Sequence, residues 1–336
     1  MINILPQTDL KICFDQLSGC IRPHWELGAP PAAAKARQPS DQRDPPKILI
    51  HAHIHYMDLA AELLDRCQTI PDHRLLINTD EIWKAKVIEL LLQEREEHDF
   101  ELKIFANRGR DIAPMLLAWK DEILNHDLLI HCHTKKSSHS NIEFGQNWRR
   151  SLLAATFPAA EMCLKWQLLL SEAESGLIMP WPHHHVAHNA NWGHNFARTK
   201  QLMSEMGWIL GRDTFLYFPA GSFFWANVNS LRPLFNLGLR HQDFAPEPLP
   251  PDGCLAHALE RCIGLVPMMQ NHQNYAAWMG DSLHSIEALH PDPCLVELPR
   301  QRDLAPHSDR LFSDGMRQAF STAQPVEQAI PLGKLP

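Results

Sequence analysis

Between residues 47 and 133, four short apolar runs alternate with segments of helical periodicity, and few chain topologies accommodate that pattern. The runs are KILIHAHIHY (47–56), RLLINT (74–79), ELKIFA (101–106) and DLLIHCH (127–133). Their length and their branched apolar residues read as strands. Residues 58–68 carry Leu59, Leu63 and Leu64 at helical spacing, and 81–97 form a charged amphipathic helix. Residues 112–124 set Ile112, Met115, Leu116, Trp119 and Ile123 on one stripe. Strands and helices alternating in this way predict an α/β fold with a mostly parallel central sheet flanked by helices. Ligands of such sheets bind at the carboxyl ends of the strands.

The bulk properties narrow the function. Hydrophobic residues make up 45% of the 336 residues, enough for a sizeable core, yet no run reaches the ~18 apolar residues of a membrane span. The opening MINILPQTDLKICFDQ lacks a basic head followed by an apolar stretch, so a cytoplasmic protein is expected. The eight cysteines are scattered with no C-x-x-C pair, which fits neither a zinc ribbon nor a disulfide framework. A net charge of −8 argues against a nucleic-acid binder. Residues 1–46 read as an N-terminal segment ending in a Pro/Ala-rich linker, 47–285 as the folded domain, and 286–336 as a C-terminal tail.

Four stretches could carry chemistry. Asn107-Arg108-Gly109-Arg110-Asp111 lies between a strand and a helix. Gly109 permits a tight turn, Asp111 suits an N-cap, and two arginines beside a helix start suit an anion. A capped turn with solvated arginines fits equally. His131-Cys132-His133-Thr134-Lys135-Lys136 ends the fourth strand, with both histidines on one face and the lysines beyond it. The histidines could hold a metal, the lysines a diphosphate, or the whole could be a polar strand end. His51, His53 and His55 share one face of the first strand, as pocket residues or as hydrogen-bonded histidines at a sheet end. The fourth stretch runs from Phe218-Pro219-Ala220-Gly221-Ser222, a turn entering an apolar strand, to Glu247 and Asp252. Asp252 precedes the helical pattern CLAHALERCIG and is either an N-cap or a general base. Apart from these, His183, His184, His185 and His188 cluster as a metal site would, but without helical or strand geometry and with no nearby Asp, Glu or Cys to complete it, and Trp181 and Trp192 flank them as sugar-stacking or buried aromatics.

The ordered set NRGRD, HTKKS, W-R-R (148–150), FPAGSFFWA and EPLPPDGCLAHALER resembles the rhamnan synthesis protein F family over about residues 47–265. The resemblance implies a divergent GT-A-like (Rossmann-like) glycosyltransferase of cell-surface polysaccharides such as O antigens. It implies an inverting displacement, with Asp252 or Glu247 as base. The donor side would comprise His53, Asn107, Arg108, Gly109, Arg110, Asp111, His131, His133, Thr134, Lys135 and Lys136. Trp192, Gly221 and Ser222 would form the acceptor side. The implied partners are a nucleotide-sugar donor, with dTDP-rhamnose the family's suggestion, and a glycan or lipid-linked acceptor at the inner face of the membrane.

GT-A enzymes hold Mn²⁺ or Mg²⁺ with an Asp-x-Asp motif, and here His131-Cys132-His133 stands in its place. Hard cations prefer oxygen ligands, so no metal is assigned, with His131 and His133 the ligands if there is one. Two rival readings remain. One is a non-catalytic glycan-binding protein on the same fold. The other is a metal-dependent hydrolase opening on H-x-H, which requires a (β/α)₈ barrel.

Overall fold

A computed structural model of the chain describes residues 4–5, 46–136, 142–182, 186, 190–278, 293–298 and 300. Most of the N-terminal segment and linker, most of the C-terminal tail, and His183, His184, His185 and His188 lie outside the described residues. The four runs form β2 (Ile48–His53), β3 (His73–Thr79), β4 (Phe100–Ile104) and β5 (Leu128–His133). The helical segments between them are α1 (Ala60–Cys67), α2 (Ile82–Glu94), α3 (Ile112–Leu117) and α4 (Lys120–Leu124). The expected helix over 112–124 is thus two short helices meeting at the fully buried Trp119.

Beyond β5 come α5 (Ile142–Thr156), α6 (Ala160–Leu170), β6 (Ser175–Pro180), α7 (Phe196–Glu205), β7 (Phe224–Asn227), α8 (Val228–Phe235), α9 (Leu255–Met269) and β8 (Gln273–Trp278). The described strands make one sheet in the order β1-β9-β8-β6-β7-β5-β2-β3-β4. Here β1 is Ile4–Leu5 and β9 is Cys294–Glu297, so both flanking segments of the chain extend the sheet. β2 to β5 are mutually parallel, and β7 is antiparallel to both β5 and β6. The α/β class with a mostly parallel sheet between helices therefore holds. The sheet is open, with β4 at one edge, so the barrel required by the hydrolase reading is not formed.

Alternation along the strands sorts the core into two layers. Ile48, Ile50, Ile130 and Cys132 face a layer with α1, α5 and α6, including Leu64, Leu153 and Trp166. Leu49 and Leu129 face the other, with α3, α8 and α9. Residues 51, 53, 131 and 133 share that second face, so its apolar rows end in histidines at the carboxyl ends of the strands. The chain runs β2 to β3 to β4 on one side and returns as β5 on the other side of β2. That reversal is the topological switch point, where the diverging connections open a crevice.

Helix α9 is held close to the Tyr217–Phe218 backbone by Gly264. A Cβ there would fall on the Tyr217 carbonyl oxygen and lie 2.8 Å from Phe218 Cα. In an exposed helix Gly→Ala would stabilise by about 1 kcal/mol. At this contact the sign reverses, and Gly264→Ala should destabilise by about 1–3 kcal/mol, the range for overpacking. Urea denaturation measures it, and a stabilised variant would contradict the packing described.

Candidate functional site

The parallel register pairs His51 with His131 and His53 with His133. Asn78, beside His53 on β3, joins the two rows. Its carboxamide contacts His51 Nε2 at 2.8 Å through Oδ1 and His53 Nδ1 at 2.6 Å through Nδ2. His51 Nδ1 and His131 Nδ1 are 2.8 Å apart, so one donates to the other. His131 Nε2 lies 3.1 Å from Asp111 Oδ2. The result is a continuous buried chain of polar contacts, Asn78–His51–His131–Asp111.

Asp111 reaches this chain because of the turn before α3. Gly109 and Arg110 both adopt the left-handed region, with φ of +76° and +54°. Gly109 packs so tightly on Phe244 that an added Cβ would also sit 2.6 Å from Ala113 Cβ. Asp111 does occupy the N-cap position, but its side chain makes no capping bond and turns to His131 instead. Burial opposes charge on this carboxyl, yet His133, His131 and His53 outweigh it and hold the acid well below its ordinary range. Burial likewise drives the His53 and His133 imidazoles down to about 4, against the pull of Asp111.

The remaining residues named from the sequence gather unevenly around this edge. His133 Nε2 donates to the Gly221 carbonyl at 2.8 Å. The Thr134 hydroxyl accepts from the backbone N–H groups of His55 and Tyr56, tying the ends of β2 and β5 together. Lys135 is turned inward, with Nζ 4.1 Å from the centre of the Trp148 ring. Burial lowers its pKa, and it feels the charges of Glu260, Asp111 and Arg110. Lys136 is exposed and pairs with Asp58 at 2.8 Å. Arg108 donates to the Phe244 carbonyl, and Arg110 spans Glu247 at 3.5 Å and His257 Nε2 at 3.3 Å. Asn107 opens the turn, directly after Phe105 and Ala106 leave the end of β4.

On the opposite wall, Cys254 rather than Asp252 is the N-cap of α9. Asp252 accepts from the His194 N–H at 2.9 Å and the Asn195 amide at 2.5 Å, with Arg261 at 3.8 Å. It pins the 191–195 loop to α9, and Trp192 packs edge-on against Phe196 from that loop, at 5.2 Å. Glu247 takes the Leu249 N–H at 2.7 Å on Oε2 and Arg110 on Oε1. Glu260 was not singled out from the sequence, yet it lies at the centre of this wall. Its Oε1 accepts from Gly221 N–H at 2.8 Å and Ser222 Oγ at 3.3 Å. Helical spacing places it on the same face as His257, a relation visible in HALE (257–260). Nothing in that pattern announces its contact with a loop 38 residues earlier.

These groups do not suit a hard divalent cation. Both ring nitrogens of His131 are engaged, His133 gives Nε2 to a carbonyl, and Asp111 is the one carboxylate among them. Among the described residues no three His, Cys, Asp or Glu side chains converge as a metal site. No described helix is long and apolar enough to cross a membrane.

The family model described as rhamnan synthesis protein F matches residues 14–272. The uncharacterized protein WxcX from two strains of Xanthomonas campestris pv. campestris is 33% identical over 235 residues, 68% of this chain. The chain spans about a third of the length of these curated relatives, the match covering 32% of each. Among solved structures, the mannosyltransferase PcManGT from Pyrobaculum calidifontis, in complex with GDP-Man and Mn²⁺, aligns at 11% identity and a TM-score of 0.42. That alignment covers 83% of this chain and 73% of PcManGT.

The buried imidazoles make stability depend on pH. His53 and His133 stay neutral down to about 4 in the folded chain, whereas unfolded histidines take up protons below about 6.5. Between those values the unfolded state binds more protons, so stability rises with pH. The melting temperature should fall steadily from pH 6.5 to 4.5, and His53→Gln/His133→Gln should flatten the slope. An unchanged slope in that double variant would contradict the buried, neutral assignment.

Proposed function

The chain belongs to the rhamnan synthesis protein F family, and from that premise we propose that it is a glycosyltransferase of cell-surface polysaccharide assembly. It would move a sugar from a nucleotide-sugar donor to a growing glycan by inverting displacement. One observation carries this reading most. At the switch point of the sheet, the Asn107–Asp111 turn, His53, His133 and Lys135 gather on the carboxyl edge, opposite Gly221, Ser222 and three carboxylates. A crevice with cationic and imidazole groups on one side and carboxylates on the other suits a reaction that releases a diphosphate and takes up a proton.

In this reading Arg110, Lys135 and the N–H groups of the turn neutralise the departing nucleoside diphosphate. Arg110 and Glu247 are an exposed pair that a diphosphate could separate at small cost. Lys135 is half-buried against Trp148, and partial burial would strengthen its field on a diphosphate. No step is assigned to a metal ion. dTDP-rhamnose is the donor suggested by family, and a lipid-linked acceptor would bring the protein to the inner face of the membrane from the cytoplasm. A non-catalytic glycan-binding role is the second reading, favoured by histidines standing where metal-dependent transferases carry carboxylates.

Calorimetric titration with dTDP-, UDP- and GDP-sugars, in Mn²⁺ and in EDTA, tests the proposal. One donor should bind with similar affinity in both, and Arg110→Ala should weaken it about 10- to 100-fold, the value of a charged hydrogen bond. Absence of binding by every donor under both conditions would overturn the transferase reading. Donor binding with no turnover on any glycan would move the function to the second reading.

A further inference from the structure

We infer that Glu260 is the general base of this site, the group that takes the proton from the acceptor hydroxyl. The inference rests on the transferase reading and assigns a role that the motifs of the sequence gave to Asp252 or Glu247. The carboxylates of the site differ in which of their oxygens are free. Both oxygens of Asp252 are held, Oδ2 by the His194 N–H and Oδ1 by the Asn195 amide with Arg261 nearby. Both oxygens of Glu247 are held, by Leu249 N–H and Arg110. Asp111 accepts or shares a proton with His131 on Oδ2, and against the effect of burial the neighbouring His133, His131 and His53 hold its carboxyl well below the usual range.

Glu260 differs in geometry. Its two hydrogen bonds, from Gly221 N–H and Ser222 Oγ, both go to Oε1. That leaves Oε2 with the Arg261 guanidinium 3.9 Å away and no hydrogen bond to it, on a side chain that is 14% exposed. The Gly221–Ser222 turn that fixes Oε1 is itself in the left-handed region, with φ of +98° and +61°. A serine at positive φ costs energy that neighbouring contacts must offset, a feature common at working sites. The same Gly221 accepts from His133 through its carbonyl, so one residue links the donor-side strand to the proposed base.

Basicity points the same way. Burial raises the Glu260 carboxyl above its usual range, partly countered by Arg261, the Gly221 N–H and Lys135. Burial opposes charge on Asp252 too, but its N–H partners and Arg261 hold it below the usual range. A base works best when its pKa approaches the working pH, and a carboxyl held low is a weak acceptor.

The step balances without a further reactant. The acceptor O–H proton passes to Glu260 Oε2 as the acceptor oxygen bonds to the anomeric carbon. The bond from that carbon to the diphosphate oxygen breaks, its electron pair leaving on the diphosphate. The Glu260 acid then returns the proton to solvent.

Nucleoside diphosphate release from dTDP-, UDP- and GDP-sugars, with water as acceptor, is measured from pH 5 to 9 on wild type, Glu260→Gln and Glu260→Asp. Donor affinity is followed by calorimetry. Glu260→Gln should lose at least about 100-fold in kcat and lose the acid limb of the profile, with donor affinity within about threefold. Glu260→Asp should keep an acid limb at reduced rate, and it carries the test if the glutamine variant fails to fold. Turnover by Glu260→Gln within threefold of wild type, or an acid limb unchanged in it, would overturn the assignment and leave the transferase reading standing. Should Glu260→Gln fail to fold, Glu260→Asp releasing nucleoside diphosphate with no acid limb would overturn it instead. Wild type that releases nucleoside diphosphate from no donor would overturn the Glu260 assignment, and the transferase reading falls with it only if no donor binds in the calorimetry.

Discussion

The parallel pairing of β2 with β5 is the constraint on which the rest of the site depends. In register, it stacks His51 on His131 with ring centres 4.9 Å apart, and it sets His53 beside His133. Four imidazoles at the end of an otherwise apolar face would be a heavy desolvation cost if left unpaired. Asn78 pairs with His51 and His53, the Gly221 carbonyl with His133 and Asp111 with His131, and Asp111 can do so because Gly109 lets the preceding turn pass against Phe244. A slip of one residue by either strand would send its two rings into the other layer. Register, turn and buried network therefore specify one another.

From this constraint the chemistry of the crevice follows. Burial keeps the His53 and His133 imidazoles neutral, and Arg110 and Lys135 bring positive charge to this edge. Negative charge sits beside them on Asp111 and across from them on Glu247, Asp252 and Glu260, each in a different environment. Asp252 fastens a loop, Glu247 closes on an arginine, and Asp111 orients a histidine. Environment rather than residue type separates their roles, as it does wherever several carboxyls share one site.

Much of the scaffold was legible in the sequence because periodicity reports local burial. The runs at 47–56, 74–79, 101–106 and 127–133 became β2 to β5 within a few residues, and the direction of the sheet followed from their spacing. The antiparallel insertion of β7 between β5 and β6 was not legible, since strand order is set by contacts far apart in the chain. The break at Trp119 was hidden because the apolar stripe continues across it. At the site, residue types marked the stretches that converge, but not the partners. HTKK does not reveal that one lysine turns onto Trp148 while the next pairs with Asp58. Glu260 lacked any signal beyond its helical phase, because its significance comes from the Gly221 loop.

The most direct test of the account is a crystal structure of the protein grown with dTDP or UDP, in the absence of divalent cations. The account predicts a diphosphate at the carboxyl ends of β2 and β5, within hydrogen-bond distance of Arg110 or Lys135 and of the 107–111 turn. A nucleotide bound at any other part of the sheet, with this edge unchanged, would contradict it.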